Sequence, residues 1–125
     1  MAEALLNRLG EGRFQAFSAG SFPKGDVHPL ALETLLEHRL AIGGLRSKSW
    51  NEFARPGAPA IDFIFTVCDR AAQDVCPIWP GHPVTAHWSI EDPAAVEGAD
   101  DVRRRAFESV FEELSVRIGA FTKQT

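Results

Sequence analysis

The sequence predicts an α/β fold in which a mostly parallel sheet lies between two layers of helices, a three-layer sandwich. Segments with strand patterning alternate along the chain with segments of helical periodicity, which is the order typical of parallel sheets. One strand segment, residues 61–67, is apolar on both faces except for Asp62 and Thr66, which predicts a buried central strand. The length of 125 residues and the hydrophobic content of 45% fit one domain spanning residues 1–125.

Four segments are predicted to be helical, and they are residues 1–9, 28–40, 49–53 and 100–121. The first places Leu5, Leu6 and Leu9 on one face, with no capping residue before it. The two longest segments carry apolar side chains at three- and four-residue steps, so one stripe of each faces a core. The short segment begins near Ser47 and Ser49, either of which is suited to cap it.

Three segments are predicted to be strands, and they are residues 13–18, 61–67 and 84–88. Ligands of parallel α/β sheets bind outside the carboxyl ends of the strands. Cys68, residues 18–20 and Asp92 each follow one of these segments. We therefore expect them to share one edge of the sheet.

The two cysteines of the chain, Cys68 and Cys76, carry the strongest chemical signal. The first directly follows a predicted strand, and the second lies in a proline-rich loop eight positions later. In a reducing compartment, a cysteine pair is more often catalytic or metal-binding than a structural disulfide. Two cysteines do not complete a typical zinc site, and the four histidines show no ligand spacing, so we predict redox chemistry and no metal.

The composition limits the classes of partner. A net charge of -4 and the lack of a basic stripe argue against nucleic-acid binding. No apolar run approaches the ~20 residues that a membrane-spanning helix needs. Met1 and Ala2 are followed by the acidic Glu3, where a signal peptide would carry basic residues. We therefore predict a cytoplasmic protein.

Several short segments, taken in order along the whole chain, form a known pattern. They are Met1-Ala2-Glu3-Ala4-Leu5-Leu6, Ser18-Ala19-Gly20-Ser21, His28-Pro29-Leu30-Ala31, Ser47-Lys48-Ser49, Phe65-Thr66-Val67-Cys68-Asp69, Cys76-Pro77-Ile78-Trp79-Pro80, His87-Trp88 and Asp92-Pro93. Together they resemble bacterial arsenate reductases of the low-molecular-weight protein tyrosine phosphatase fold family. The cysteine pair followed by His-Trp and Asp-Pro is typical of the reductases within that superfamily.

The resemblance implies a thiol-dependent oxidoreductase of arsenic detoxification, in which a cysteine relay reduces arsenate to arsenite. Cys68 is expected to attack the sulfur that carries the arsenic, and Cys76 to resolve the resulting disulfide. Asp92 is expected to act as a general acid. The implied partners are arsenate or a phosphate-like oxyanion and an external thiol reductant of the thioredoxin or glutaredoxin type. No bound cofactor is expected.

Other residues near the predicted site are given supporting roles. His87 and Trp88 are expected to support its wall rather than to react, with Trp88 packed in the core. Three cations near the mouth of the site are expected to form exposed ion pairs, and they are Arg46, Lys48 and Arg70.

The chain departs from the family pattern in one respect. Family members have a first strand that leads into a Cys-x5-Arg loop, which cradles the oxyanion. Here, Cys68 is followed six positions later by Asp74, and Cys76 by His82, so neither opens such a loop. We expect an N-terminally truncated chain without the first strand, inactive as it stands. Open sheet edges then predict low stability or a homodimer that fills the gap.

Two alternatives remain open. A low-molecular-weight protein tyrosine phosphatase shares the fold and the Asp-Pro acid, although such enzymes usually carry tyrosines beside the aspartate and this chain has none. A non-catalytic thiol redox or binding module would use Cys68 and Cys76 alone. Replacing Cys68 by serine separates the two enzymes, because it is expected to abolish arsenate reduction by a full-length form and to leave phosphatase activity largely intact.

Overall fold

The computed structural model describes residues 1–19, 27–67 and 83–124. Its helices and strands are α1 (Ala2–Leu9), α2 (Pro29–Glu37), β1 (Phe63–Thr66), β2 (Val84–His87) and α3 (Asp100–Gln124), with 3-10 turns at Trp50–Phe53 and Pro93–Ala95. The chain forms two compact units. The helical unit is Met1–Ser18, Asp26–Arg46 and Pro93–Thr125, and the strand unit is Ala19–Gly25 and Ser47–Asp92. The prediction of one domain is not tested by this division and stays a prediction.

The core of the helical unit forms along one stripe of α3. Both α1 and α2 pack against this helix. Its buried apolar side chains recur at three- and four-residue steps, as the sequence predicts, and they are Phe107, Phe111, Leu114 and Ile118. Leu5 of α1 and Leu35 of α2 are buried with them, Leu35 completely. Burial of each such side chain contributes about 1.5–3 kcal/mol to folding.

The amino end of α2 is fixed by His28. This residue is the N-cap, and its Nδ1 accepts a hydrogen bond of 3.1 Å from the Leu30 N–H. Pro29 follows at the first helical position, where it needs no hydrogen-bond partner for its nitrogen. The His28 ring also packs on Phe107, with ring centroids 4.8 Å apart. One histidine side chain therefore starts α2 and contacts α3.

The predicted helix 28–40 ends early, at Glu37, because Arg39 adopts a left-handed conformation with φ 61°. The Leu40 N–H bonds to the Leu35 carbonyl, at 2.9 Å, and the Arg39 N–H bonds to the Leu36 carbonyl, at 3.0 Å. This pattern is a Schellman ending, which usually places glycine where Arg39 stands. The turn keeps Leu40 buried and leaves Leu36 56% exposed.

The predicted strand 13–18 is wrong: all of its residues are described, and none belongs to a strand. Side chains of α1 supply its hydrogen bonds instead. The Ala16 N–H donates to Asn7 Oδ1 at 2.9 Å, and Asn7 Nδ2 donates to the Ala16 carbonyl at 3.4 Å. The Ser18 N–H and hydroxyl both donate to Glu3 Oε1, at 2.8 and 2.9 Å. Side chains of α1 therefore bind the backbone of this segment where a neighbouring strand would otherwise pair.

The strand unit holds a parallel pair. β1 and β2 are parallel and in register from Phe63 opposite Val84 to Thr66 opposite His87, which agrees with the predicted parallel sheet. Burial is lower than the apolar pattern of residues 61–67 predicts, since Phe63 is 39% exposed and the rest of β1 is half-buried. In the described part of the chain, β1 is therefore not buried on both faces as a central strand would be.

The short predicted helix is a 3-10 turn, Trp50–Phe53. Ser49 is its cap, and its Oγ accepts a hydrogen bond of 3.2 Å from the Asn51 N–H.

None of the helices in the described ranges combines the length and apolarity that crossing a bilayer requires.

The role of His28 is testable by two substitutions. Both His28→Ala and His28→Asn remove the ring contact with Phe107 and the contact between Nε2 and Arg103, but only His28→Ala also removes the cap, because asparagine is a good N-cap. We expect His28→Asn to be more stable than His28→Ala by about 1 kcal/mol in urea unfolding. Equal stability of the two variants would show that the cap contributes nothing.

The left-handed residue at the end of α2 gives a second prediction. Arg39→Gly removes the steric cost of φ 61° and is expected to raise the free energy of unfolding by up to about 1 kcal/mol. The control Arg39→Ala removes the same side chain without relieving the backbone. A gain for alanine equal to that for glycine would contradict the backbone explanation.

Candidate functional site

The backbone pairing of the two strands continues past their carboxyl ends. The Trp88 N–H donates to the Thr66 carbonyl, and the Ile90 N–H donates to the Val67 carbonyl, each at 2.8 Å. Val67 is the residue before Cys68 in the sequence. The hydrogen-bonded ladder therefore holds the chain that leads into Cys68 beside the chain that leads towards Asp92.

One face of this end of the sheet carries a polar pair. Thr66 and His87 are register partners on adjacent strands, so their side chains project to the same side. Thr66 Oγ1 and His87 Nδ1 are 2.7 Å apart, a hydrogen bond. His87 is exposed. The imidazole is thus hydrogen-bonded through Nδ1 at a surface position.

The opposite face is apolar. Phe65 and Trp88 stack with ring centroids 4.3 Å apart and an interplanar angle of 24°. Side chains alternate along a strand, so this stack lies on the other side of the sheet from Thr66 and His87. Ile90 follows and is buried, at 6% exposed. The stack and Ile90 anchor the ladder, whereas Trp88 is half-buried and not packed in the core as the sequence predicts.

Asp92 lies two residues beyond Ile90, as the last residue of the strand unit. It is exposed and directly precedes Pro93, which opens the 3-10 turn Pro93–Ala95. This position follows the carboxyl end of β2, where the sequence predicts it. Its role as an acid stays a prediction, as do the relay roles of Cys68 and Cys76, both of which lie outside the described residues.

Lys48 corrects one expectation. The sequence predicts an exposed ion pair, whereas the side chain is buried in the strand unit, at 8% exposed. A buried ammonium is costly unless it is hydrogen-bonded or paired, so this position is more constrained than its place in a polar segment indicates. Arg46 is exposed as expected, and Arg70 lies outside the described residues. In the described parts of the chain, no group of three or more metal-ligating side chains comes together.

The Thr66–His87 pair is a feature that the sequence analysis missed. Thr66 was visible as one of two polar residues in an apolar strand, and His87 as part of a family motif. Only the register of β1 with β2 brings them together, and register is not encoded by either segment alone.

Comparison with known proteins identifies the family. The family model described as low molecular weight phosphotyrosine protein phosphatase matches residues 1–125. The chain belongs to this family. The predicted family resemblance and the α/β fold class are therefore confirmed.

The chain is also similar to several arsenate reductases. It is 31% identical over 123 residues to the enzymes of Shouchella clausii and Halalkalibacterium halodurans, covering 98% of this chain and 85% of each relative. A thioredoxin-dependent arsenate reductase of Corynebacterium glutamicum superposes with a TM-score of 0.69 at 28% identity, covering 98% of this chain and 53% of that one. The arsenate reductase of Archaeoglobus fulgidus gives a TM-score of 0.65 at 25% identity, covering 94% and 87%.

The anchoring role of Ile90 is testable. Ile90→Ala leaves a cavity beneath the ladder and is expected to lower the free energy of unfolding by about 2–5 kcal/mol. The neighbouring Glu91→Ala, at an exposed position, is the control and is expected to change it by less than about 0.5 kcal/mol. Similar values for the two variants in urea unfolding would contradict the anchoring role.

Proposed function

We propose that this member of the phosphatase family is an arsenate reductase, which reduces arsenate to arsenite with electrons from an external thiol reductant. The observation that carries the proposal is the bond between the Ile90 N–H and the Val67 carbonyl. It holds the chain directly before Cys68 beside the chain that continues to Asp92. Named relatives that match almost the whole chain support the same activity.

In the proposed relay, arsenic is first bound to the sulfur of an oxyanion-loop cysteine. The thiolate of Cys68 attacks that sulfur, and the sulfur–arsenic bond breaks with its electron pair going to arsenic, which becomes arsenite. This step leaves a disulfide between the loop cysteine and Cys68. Cys76 then attacks Cys68, which frees the loop cysteine and leaves a Cys68–Cys76 disulfide.

The loop cysteine would belong to a Cys-x5-Arg motif, which the 125 residues do not contain. The residues of this chain therefore account for the attack by Cys68, the resolution by Cys76 and the general acid Asp92. Asp92 would protonate the oxygen that leaves when arsenate is first attacked. Its exposed place at the carboxyl end of β2 is compatible with access to a bound oxyanion.

A thioredoxin-type protein is the reductant we favour. The Corynebacterium glutamicum relative is named as thioredoxin-dependent. The final product of the relay is a disulfide between two cysteines close in sequence, which an attacking dithiol can reopen. A reducing cytoplasm, as predicted from the sequence, would supply such a protein.

Phosphotyrosine hydrolysis is the second candidate, because the matching family model carries that description. The complete lack of tyrosine in the chain and the presence of a cysteine pair favour the reductase. The single-domain organisation and the homodimer stay predictions.

Three substitutions test the assignment, in a form of the protein that carries a Cys-x5-Arg loop. Cys68→Ser is expected to abolish arsenite release with thioredoxin as reductant, and Cys76→Ser to stop turnover after about one equivalent of arsenite, while hydrolysis of p-nitrophenyl phosphate continues in both. Asp92→Asn is expected to lower that hydrolysis about 10²–10⁴-fold. Glu91→Gln, a neighbouring exposed acid, is the control and is expected to change neither activity.

Undiminished arsenite release by Cys68→Ser would rule out the relay. Loss of p-nitrophenyl phosphate hydrolysis in Cys68→Ser, with the fold intact by circular dichroism, would favour the phosphatase instead.

A further inference from the structure

The amino end of α2 is held by a hydrogen bond that depends on the protonation state of a histidine. The Leu30 N–H donates to Nδ1 of His28 at 3.1 Å, so this nitrogen must carry a lone pair. The same ring packs on Phe107 of α3, with centroids 4.8 Å apart. Serine, threonine and asparagine, which are common N-caps, do not titrate near neutral pH, whereas histidine does.

The contact of the ring with Arg103 is explained by its tautomer. A neutral imidazole has one acceptor nitrogen. Because Nδ1 accepts from the Leu30 N–H, Nε2 carries the proton, and it faces a second donor, Nη2 of Arg103, at 3.5 Å. The opposite tautomer would accept from Arg103 but would turn an N–H towards the Leu30 N–H. The cap therefore requires the neutral ring with its proton on Nε2.

Protonation of His28 opposes this arrangement in three ways. A proton on Nδ1 leaves the ring with two donors and no acceptor, so the Leu30 N–H loses its partner. The new positive charge lies at the amino end of a helix, where the helix dipole disfavours cations. It also lies 3.5 Å from the guanidinium of Arg103, which is always charged. All three effects favour release of the ring.

The acidic side chains around the ring offset little of this charge. The first turn of α2 contains no acidic residue. Glu33, further along α2, is paired with Arg104 of α3 at 2.9 Å. Asp100, at the start of α3, is 78% exposed and lies 4.0 Å from Nη1 of Arg103, so water screens its attraction. In the described part of the chain, Arg103 is thus the charged group that the ring contacts.

The carboxyl end of α2 carries a second histidine in a different environment. His38 is the C-cap, and its Nε2 lies 2.7 Å from Oε1 of Glu108 on α3. Its ring stacks on Phe111, with centroids 4.0 Å apart. A positive charge at this ring lies next to a carboxylate and at the helix end that favours cations, so acid is expected to keep this end in place. The groove beside the ring is also lined by charged side chains of both signs, which are Glu33, Glu37, Arg104 and Arg105.

We propose that His28 is a pH-sensitive switch for the amino end of α2. The neutral ring caps the helix and packs on Phe107, and the protonated ring releases the first turn of α2 from α3. His38 keeps the other end attached, so the release is confined to one end of the helix. The contribution of the cap is present at neutral pH and is lost as the pH falls through the range in which histidine titrates.

Amide hydrogen exchange, followed by NMR, tests the switch. The first-turn amides are those of Leu30, which bonds to the His28 ring, and of Ala31 and Leu32, which bond to the His28 carbonyl. Their protection relative to unstructured chain is compared at about pH 7.5 and about pH 5.5. We expect it to fall about fivefold at the lower pH, which is the size of a typical cap contribution. The Leu40 amide, which bonds to the Leu35 carbonyl at the other end, is expected to keep its protection.

Three variants make the test specific. His28→Asn supplies a cap that does not titrate and is expected to show no loss of protection at pH 5.5. Arg103→Gln removes the neighbouring charge without changing the cap, and we expect it to reduce the loss by about half. Arg105→Gln is the matched control on α3, because its side chain is 82% exposed and pairs with Asp101 of the same helix. It is expected to leave the loss unchanged.

A loss of first-turn protection in His28→Asn as large as in the unsubstituted chain would overturn the proposal. An equal loss at Leu40 would also overturn it, because that result indicates general unfolding in acid. If His28→Asn does not fold, the two arginine variants decide the matter. A smaller loss in Arg103→Gln than in Arg105→Gln then supports the switch, and equal losses contradict it.

Discussion

The hydrogen bond from the Ile90 N–H to the Val67 carbonyl is the contact on which the candidate site depends. It extends the parallel pairing beyond β1 and β2 and brings together two stretches of chain that are more than twenty residues apart in the sequence. The bond is protected because Ile90 is buried and the Phe65–Trp88 stack covers the adjacent apolar face. Ligands of parallel α/β sheets bind outside the carboxyl ends of the strands, and this contact orders that end of the pair.

The helical unit obeys a different constraint. Its core is the buried stripe of α3, against which α1 and α2 pack. Polar side chains then provide hydrogen-bond partners for backbone groups around that core. Asn7 exchanges two hydrogen bonds with the backbone of Ala16, and His28 caps α2. Each of these residues replaces a backbone partner by a side-chain partner, which is how a short helical unit avoids leaving buried polar groups without hydrogen bonds.

Local patterns predict most of the helices and the two strands, because periodicity depends on neighbouring residues alone. The predicted helix 28–40 is too long because the left-handed turn at Arg39 is not signalled by a glycine. The predicted strand 13–18 fails because a strand needs a partner, and alternation cannot reveal that Asn7 and Glu3 would supply its hydrogen bonds. The Thr66–His87 pair depends on register, which is a property of two segments together.

The most direct test of the account is a disulfide map of the protein after a single turnover. A form that carries a Cys-x5-Arg loop is mixed with arsenate in the absence of reductant, and its peptides are identified by mass spectrometry. The account predicts arsenite in solution and a disulfide between Cys68 and Cys76 that thioredoxin reduces. Arsenite release with both of these thiols still free would contradict it.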